Sequence, residues 1–239
     1  MIHDTHENDT RSVVDVPALR GGTHVFQDRA HAGAVLAELL DGYDKAHSII
    51  AAIPAGGVPV AVALSDRLRI PLTVVVVSKI TFAWNTEAGY GAVAFDGTVR
   101  LNERLMAQVG LDQQQVDQDI TRTKSKVIGR VTELAGGEPP PVAQRNVIIV
   151  DDGVASGFTL RTAIEALDKC DVRSIVVATP TGLDRSVREL AESVEMVYCA
   201  NLRSGPIFAV ADAYQRWTDV SDDQVIDLLN NAQALRVKT

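Results

Sequence analysis

Asp151 and Asp152 stand together where an apolar, β-branched run at 147–150 ends. Gly153, Val154, Ala155, Ser156 and Gly157 follow them, and Phe158 and Thr159 open a helical pattern. A short β-branched run of this kind reads as a buried strand of a parallel sheet. The acids then lie at its carboxyl end, the edge at which open α/β sheets bind ligands. Gly153 and Gly157 let the loop bend tightly, so that successive N–H groups from Ala155 to Thr159 converge at a helix N-terminus. Such a nest suits a phosphate. The hydroxyls of Ser156 and Thr159 can add donors. Two carboxylates beside a phosphate nest would repel the phosphate unless they have another task. Holding the vicinal hydroxyls of a ribose, directly or through Mg²⁺, is such a task. The plain alternative is a strand–turn–helix with surface acids.

A second loop of the same kind follows the apolar run at 48–53. It reads Pro54, Ala55, Gly56, Gly57, and a helical pattern occupies 60–68. Paired glycines let backbone amides approach an anion closely, or they serve only the shape of a tight turn. Lys79 emerges from a third β-branched run, 72–78, read as one buried strand with the ammonium at its carboxyl end. It is either a cation for a phosphate group or a solvated strand-end lysine. Arg29 lies in the first turn of a helix that Asp28 can cap, where the helix dipole disfavours a cation. That mismatch suggests a nearby anion as readily as a plain surface arginine.

The elements that must position these residues follow from the pattern. Apolar runs at 48–53, 72–78, 147–150, 174–180 and 196–199 alternate with helical stretches, which predicts an α/β protein with a doubly wound parallel sheet. Segment 81–91 carries Phe82, Trp84, Asn85, Glu87 and Tyr90, with Gly89 and Gly91 at its end. It reads as a mobile flap beside the ligand edge, or as a hairpin that runs on through Asp96-Gly97. A short helix at 102–110 precedes a long one at 112–134, capped by Asp112 and apolar along Val116, Ile120, Val127, Val131 and Leu134. It is expected to pack on the sheet or on a second subunit. Gly136-Gly137 ends it, and 138–141 is a stiff linker. Ser221 to Gln224 forms a capping box for a last helix. Residues 1–25 read as a tail or an edge strand around 13–16, and 26–239 as one domain.

Composition bounds the ligands. The chain has 239 residues, 46% of them hydrophobic, which suffices for a core. Its net charge of −8 argues against nucleic acid or an anionic membrane as partner. A phosphate-rich ligand must then be held by backbone amides, metal and a few local cations. Cys170 and Cys199 make no disulfide framework or metal-ligand pattern and read as buried structural thiols. His3, His6 and His24 could suggest metal, but a loose tail or added strand explains them better. No apolar leader or span is visible, so a cytoplasmic location is expected.

The acid pair with its small-residue loop resembles the phosphoribosyl-pyrophosphate (PRPP) signature of type I phosphoribosyltransferases. The resemblance extends over 26–229, through 26–33, 53–60, Lys79-Ile80, 91–94 and 219–222. It points to a branch of small uncharacterised phosphoribosyltransferase-like proteins of bacteria and archaea. It implies the type I fold, with a small hood, formed by 200–239 and part of the N-terminus, over the carboxyl edge of the sheet. It implies transfer of a phosphoribosyl group from Mg²⁺-bound PRPP to a nitrogenous base, with release of pyrophosphate, as in nucleotide metabolism. Asp151 and Asp152 would anchor the diol and the metal, and 153–159 the 5-phosphate. Ala55, Gly56 and Gly57, with Lys79 and Arg29, would hold pyrophosphate. Phe208, Tyr214 or Trp217 would stack on a planar acceptor or pack the hood. A dimer is expected. Ala155 stands where hypoxanthine–guanine members carry an Asp, which removes loop-borne base chemistry. The other reading is a regulatory protein of the same fold that binds PRPP or a nucleotide without turnover.

Overall fold

The computed structural model describes residues 12–82 and 84–237; His3 and His6 lie outside them. In chain order the strands are β1 (Val13–Val14), β2 (Ser48–Ala52), β3 (Leu72–Val74), β4 (Val77–Phe82), β5 (Asn85–Ala94), β6 (Val99–Leu101), β7 (Asn146–Val150), β8 (Ser174–Leu183) and β9 (Met196–Arg203). The helices are α1 (Arg29–Leu39), α2 (Gly57–Leu68), α3 (Glu103–Val109), α4 (Gln113–Ala135), α5 (Phe158–Leu167), α6 (Asp184–Ala191) and α7 (Asp222–Val237).

A six-stranded parallel sheet runs β1-β9-β8-β7-β2-β3. Its central strands are apolar on both faces because helices cover both, so Ile49, Ile50, Val147, Ile148, Ile149 and Val177 are all buried. Ile50, Ile148 and Val176 pack toward α1 and α2, while Ile49, Ile149 and Val177 pack toward α5. α1 and α2 approach closely at Gly33, where an added Cβ would lie 2.3 Å from the Val60 carbonyl oxygen. The edge strand expected near 13–16 is β1, paired with β9.

The run at 72–78 is not one strand. β3 ends at Val74, and after Val75 and Val76 the chain enters β4 of a separate antiparallel sheet, β4-β5-β6. All of Val74 to Val77 are buried, so the apolar run continues through the corner with no change in hydropathy. Segment 81–91 accordingly belongs to the β4–β5 hairpin. Phe82 and Tyr90 are buried in it, and Trp84, stacked on Phe82, is 66% exposed. The hairpin is fixed to α4 by a buried hydrogen bond, Tyr90 Oη donating to Asp119 Oδ2 at 2.9 Å. Gln115 and Arg122 hold the other Asp119 oxygen. α4 thus packs on this sheet, as its apolar face predicts, and reaches α7 through Arg130 and Asp222. Among the described residues no helix is long and apolar enough to cross a membrane.

Candidate active site

β7 brings Asp151 and Asp152 to the carboxyl edge of the sheet, and the next turn lines a cavity of about 280 Å³. Its walls are Ile53 and Pro54 after β2, Lys79 from β4, Asp151 to Gly157 with Thr159 and Leu160 after β7, and Val210 and Trp217 from the C-terminal segment. Lys79 therefore reaches the site, but from the hairpin and not from the end of a core strand. Phe158 does not line the cavity.

The acid-pair loop is shaped by two different glycines. Gly157 is the N-cap of α5 with a φ of 74°, a left-handed conformation that glycine adopts without strain. Gly153 serves closeness instead: an added Cβ would meet Val210 at 2.3 Å. β8 runs past Pro180, and its extension grips the loop, with Val154 N–H donating to the Thr181 carbonyl and Leu183 N–H to the Val154 carbonyl. The Val154 amide is therefore spent. Ala155 and Ser156 are exposed at the mouth, before the first turn of α5, where helix amides converge.

The glycines at 56 and 57 also serve packing. An added Cβ at Gly56 would lie 2.0 Å from Asp152 Oδ2, and one at Gly57 2.6 Å from the Val150 carbonyl oxygen. The Gly57 amide donates to Ile53 O, which leaves Ala55 and Gly56 to offer amides. Ile53 and Pro54 line the cavity, whereas Ala55, Gly56 and Gly57, which follow them in the chain, are not part of its lining.

Arg29 is 8% exposed and is held on Asp152, its Nε donating to Oδ2 at 2.8 Å. Its NH1 donates to the Thr218 carbonyl, and its guanidinium lies 3.8 Å from the Trp217 ring centroid. The anion suggested by its place in the first turn of α1 is Asp152. Asp28 caps α1 as expected, accepting from His31 N–H, a bond that holds its carboxyl below the ordinary range. Tyr214 is buried and donates to the Asp152 carbonyl at 2.6 Å, so it packs and is not a free platform. Phe208 lies against Arg203, away from the cavity lining. Of the three aromatics, Trp217 alone lines the cavity.

Burial pushes the Asp151 carboxyl well up, and the neighbouring Asp152 charge adds to this, against the pull of Lys79 and Arg29. Burial also raises Asp152, opposed first by Arg29. Among the described residues no group of three or more His, Cys, Asp or Glu gathers as a metal cage. Mg²⁺ is commonly bound by one or two carboxylates together with ligand phosphates. The Asp151 carboxylate, with one oxygen accepting only the Asp152 amide, fits that role. Cys199 is buried and free, its thiol pushed up by burial, and Cys170 is half-buried and free.

A hood lies over this edge. Residues 24–27 pair with 212–216 through His24, Phe26, Gln215 and Arg216 amides, and Asp28 joins Arg216 in an ion pair. Val210, Tyr214, Trp217 and Thr218 belong to it. No local pattern in the sequence points to Val210 or Thr218, whose roles depend on contacts with Gly153 and Arg29 far away in the chain.

Comparison with known proteins agrees with this geometry. Residues 97–207, which include the acid pair and its loop, match the family model for the phosphoribosyl transferase domain. Two curated proteins from strains of Mycobacterium tuberculosis, each named "Putative phosphoribosyl transferase", are 32% identical to the chain over 210 residues. The chain thus carries a phosphoribosyl transferase domain. The alignment with those relatives takes in 87% of this chain and 47% of theirs, so the chain spans about half their length. The crystal structure of TT1426 from Thermus thermophilus superposes with a TM-score of 0.68 at 29% identity, covering 86% of this chain and 98% of that one. The two chains share this mixed α/β fold with its parallel sheet.

Proposed function

We propose that the protein binds PRPP with Mg²⁺ and transfers its phosphoribosyl group to a nitrogenous acceptor, releasing pyrophosphate. The observation that carries this reading is the convergence, on one cavity, of an acid pair, a small-residue turn at a helix N-terminus and Lys79. Positive charge develops on the ribose during displacement at its anomeric carbon. The protein's contribution is therefore orientation, neutralisation of the leaving group and exclusion of water. Mg²⁺, held through Asp151, would supply charge neutralisation for the departing pyrophosphate. Loop 155–159 would hold the 5-phosphate, with Thr159 adding its hydroxyl. Lys79 and the Ala55 and Gly56 amides would face the pyrophosphate side, while Trp217 offers a ring to a planar acceptor.

Ala155 favours a second reading. It sits exposed in the turn with no titratable group, so the loop holds no proton acceptor for an acceptor base. A protein that binds PRPP or a nucleotide as a signal needs none. Incubation with PRPP, Mg²⁺ and a panel of bases separates the two. Release of pyrophosphate with at least one base is the expected result. Thermal stabilisation by PRPP without turnover on any base would favour the binding role.

A further inference from the structure

Asp151 and Asp152 are neighbours in sequence but not in circumstance. The Asp152 side chain lines the cavity but has one oxygen taken: Arg29 Nε lies 2.8 Å from its Oδ2, and Gly56 is pressed against the same oxygen. Its backbone carbonyl accepts from Tyr214 Oη. Arg29 in turn does not line the cavity, and two of its nitrogens are committed, Nε to Asp152 and NH1 to Thr218 O, with its face on Trp217. Asp151 has no ion-pair partner within 4.0 Å among the described residues, and its Oδ1 accepts only the amide of Asp152.

We propose that the two acids divide the work, Asp152 clasping the hood to the sheet edge through Arg29 while Asp151, which has no such ion pair, is the acid that serves the ligand. Arg29 is then a positioning residue, not a pyrophosphate ligand. The clasp ties three distant parts of the chain together, namely the start of α1, the end of β7 and the hood segment 214–218. It aligns the Trp217 ring along the cavity wall before any ligand arrives, which lowers the ordering cost of binding. It also neutralises one carboxylate, so the cavity faces a single uncompensated one. The assignment of Asp151 rests on the phosphoribosyl reading; the clasp does not.

Four variants in a Trp84→Phe background test it: Asp151→Asn, Asp152→Asn, Arg29→Met and the pair Arg29→Met with Asp152→Asn. Asp152→Asn and Arg29→Met each strand a buried charge and should lower Tm by about 5–15 °C. The double variant removes both charges, so its loss should be well short of the sum. Trp217 emission should shift in Arg29→Met, since the guanidinium leaves its ring. Mg²⁺–PRPP affinity, by calorimetry, should fall about 10- to 100-fold in Asp151→Asn, the loss of one charge-assisted contact. The double variant should keep affinity within about tenfold of wild type on the same scale. An additive thermal cycle with unchanged Trp217 emission overturns the clasp. A double variant that loses PRPP as severely as Asp151→Asn overturns the division of work. Wild-type protein that does not bind PRPP would sink the ligand reading, while the thermal cycle and the emission still decide the clasp.

Discussion

At the scale of the residue, the acid pair shows how far type and spacing reach. The place of Asp151 and Asp152 at a strand end followed from the β-branched run before them, and the cavity is there. Their unequal partners were not legible, because Arg29 lies 123 positions away from Asp152 and no local pattern links them. The inequality has a thermodynamic consequence. The Asp151 carboxyl titrates higher in the folded protein than in the unfolded chain, so the folded state holds its proton to higher pH. Its favourable contribution is full below the unfolded carboxylate range and is lost as pH rises through the folded value. At neutral pH the charged group is a net cost in the free protein. Asp151→Asn is therefore expected to raise Tm at pH 7, by about 2–4 °C for each kcal/mol relieved, and to flatten the acid side of the stability profile. Calorimetric scans from acid to neutral pH check this; a lower Tm for the variant at pH 7 would refute it. Gly56→Ala is expected to act on the same pair from the other side. Its methyl group would collide with Asp152 Oδ2, the oxygen paired with Arg29, so it should disturb that pair and lower Tm in a calorimetric scan.

At the scale of the element, local signals were legible and long-range geometry was not. Asp28 and Asp112 cap α1 and α4 where their side chains stand one residue before the helical pattern, and Ser221 and Gln224 close the box that opens α7. These depend on neighbours three residues away. The corner between β3 and β4 depends instead on which sheet each half of an unbroken apolar run joins, and hydropathy does not record that. It moved Lys79 from a core strand to the hairpin while leaving it at the cavity. The hairpin's attachment was equally hidden, since Tyr90 and Asp119 meet only in the fold. Tyr90→Phe leaves Asp119 with Gln115 and Arg122 but removes a buried donor, a loss of about 1–2 kcal/mol. Chemical denaturation should report that loss. Faster hydrogen exchange should be concentrated in 77–94, and a uniform change across the protein would mean that the bond does not anchor the hairpin.

At the scale of the whole molecule, the site is closed by parts that differ in how they are held. The parallel sheet and its helices form the floor. The β4–β5 hairpin contributes Lys79 from one side and is fixed to α4, with Phe82 and Tyr90 in the interior. The hood reaches the other side through Val210 and Trp217, which touch the acid-pair loop and Arg29 directly. Two of the large side chains that made 81–91 a candidate flap are thus committed to packing, while Trp84 is exposed near the hairpin tip. The ligand signal should accordingly come from the hood. Trp217 is expected to change emission on titration with Mg²⁺–PRPP because it lines the cavity. Trp84, stacked on Phe82 outside that lining, is expected to stay silent. Trp84→Phe should therefore keep the fluorescence response and Trp217→Phe should abolish it, with binding in both confirmed by calorimetry. Exchange protection should appear in 153–159 and 210–218 together, since Val210 rests on Gly153. The opposite pattern, a response carried by Trp84 with protection across 81–91, would show that the hairpin leaves its packed position and closes over the site as a flap.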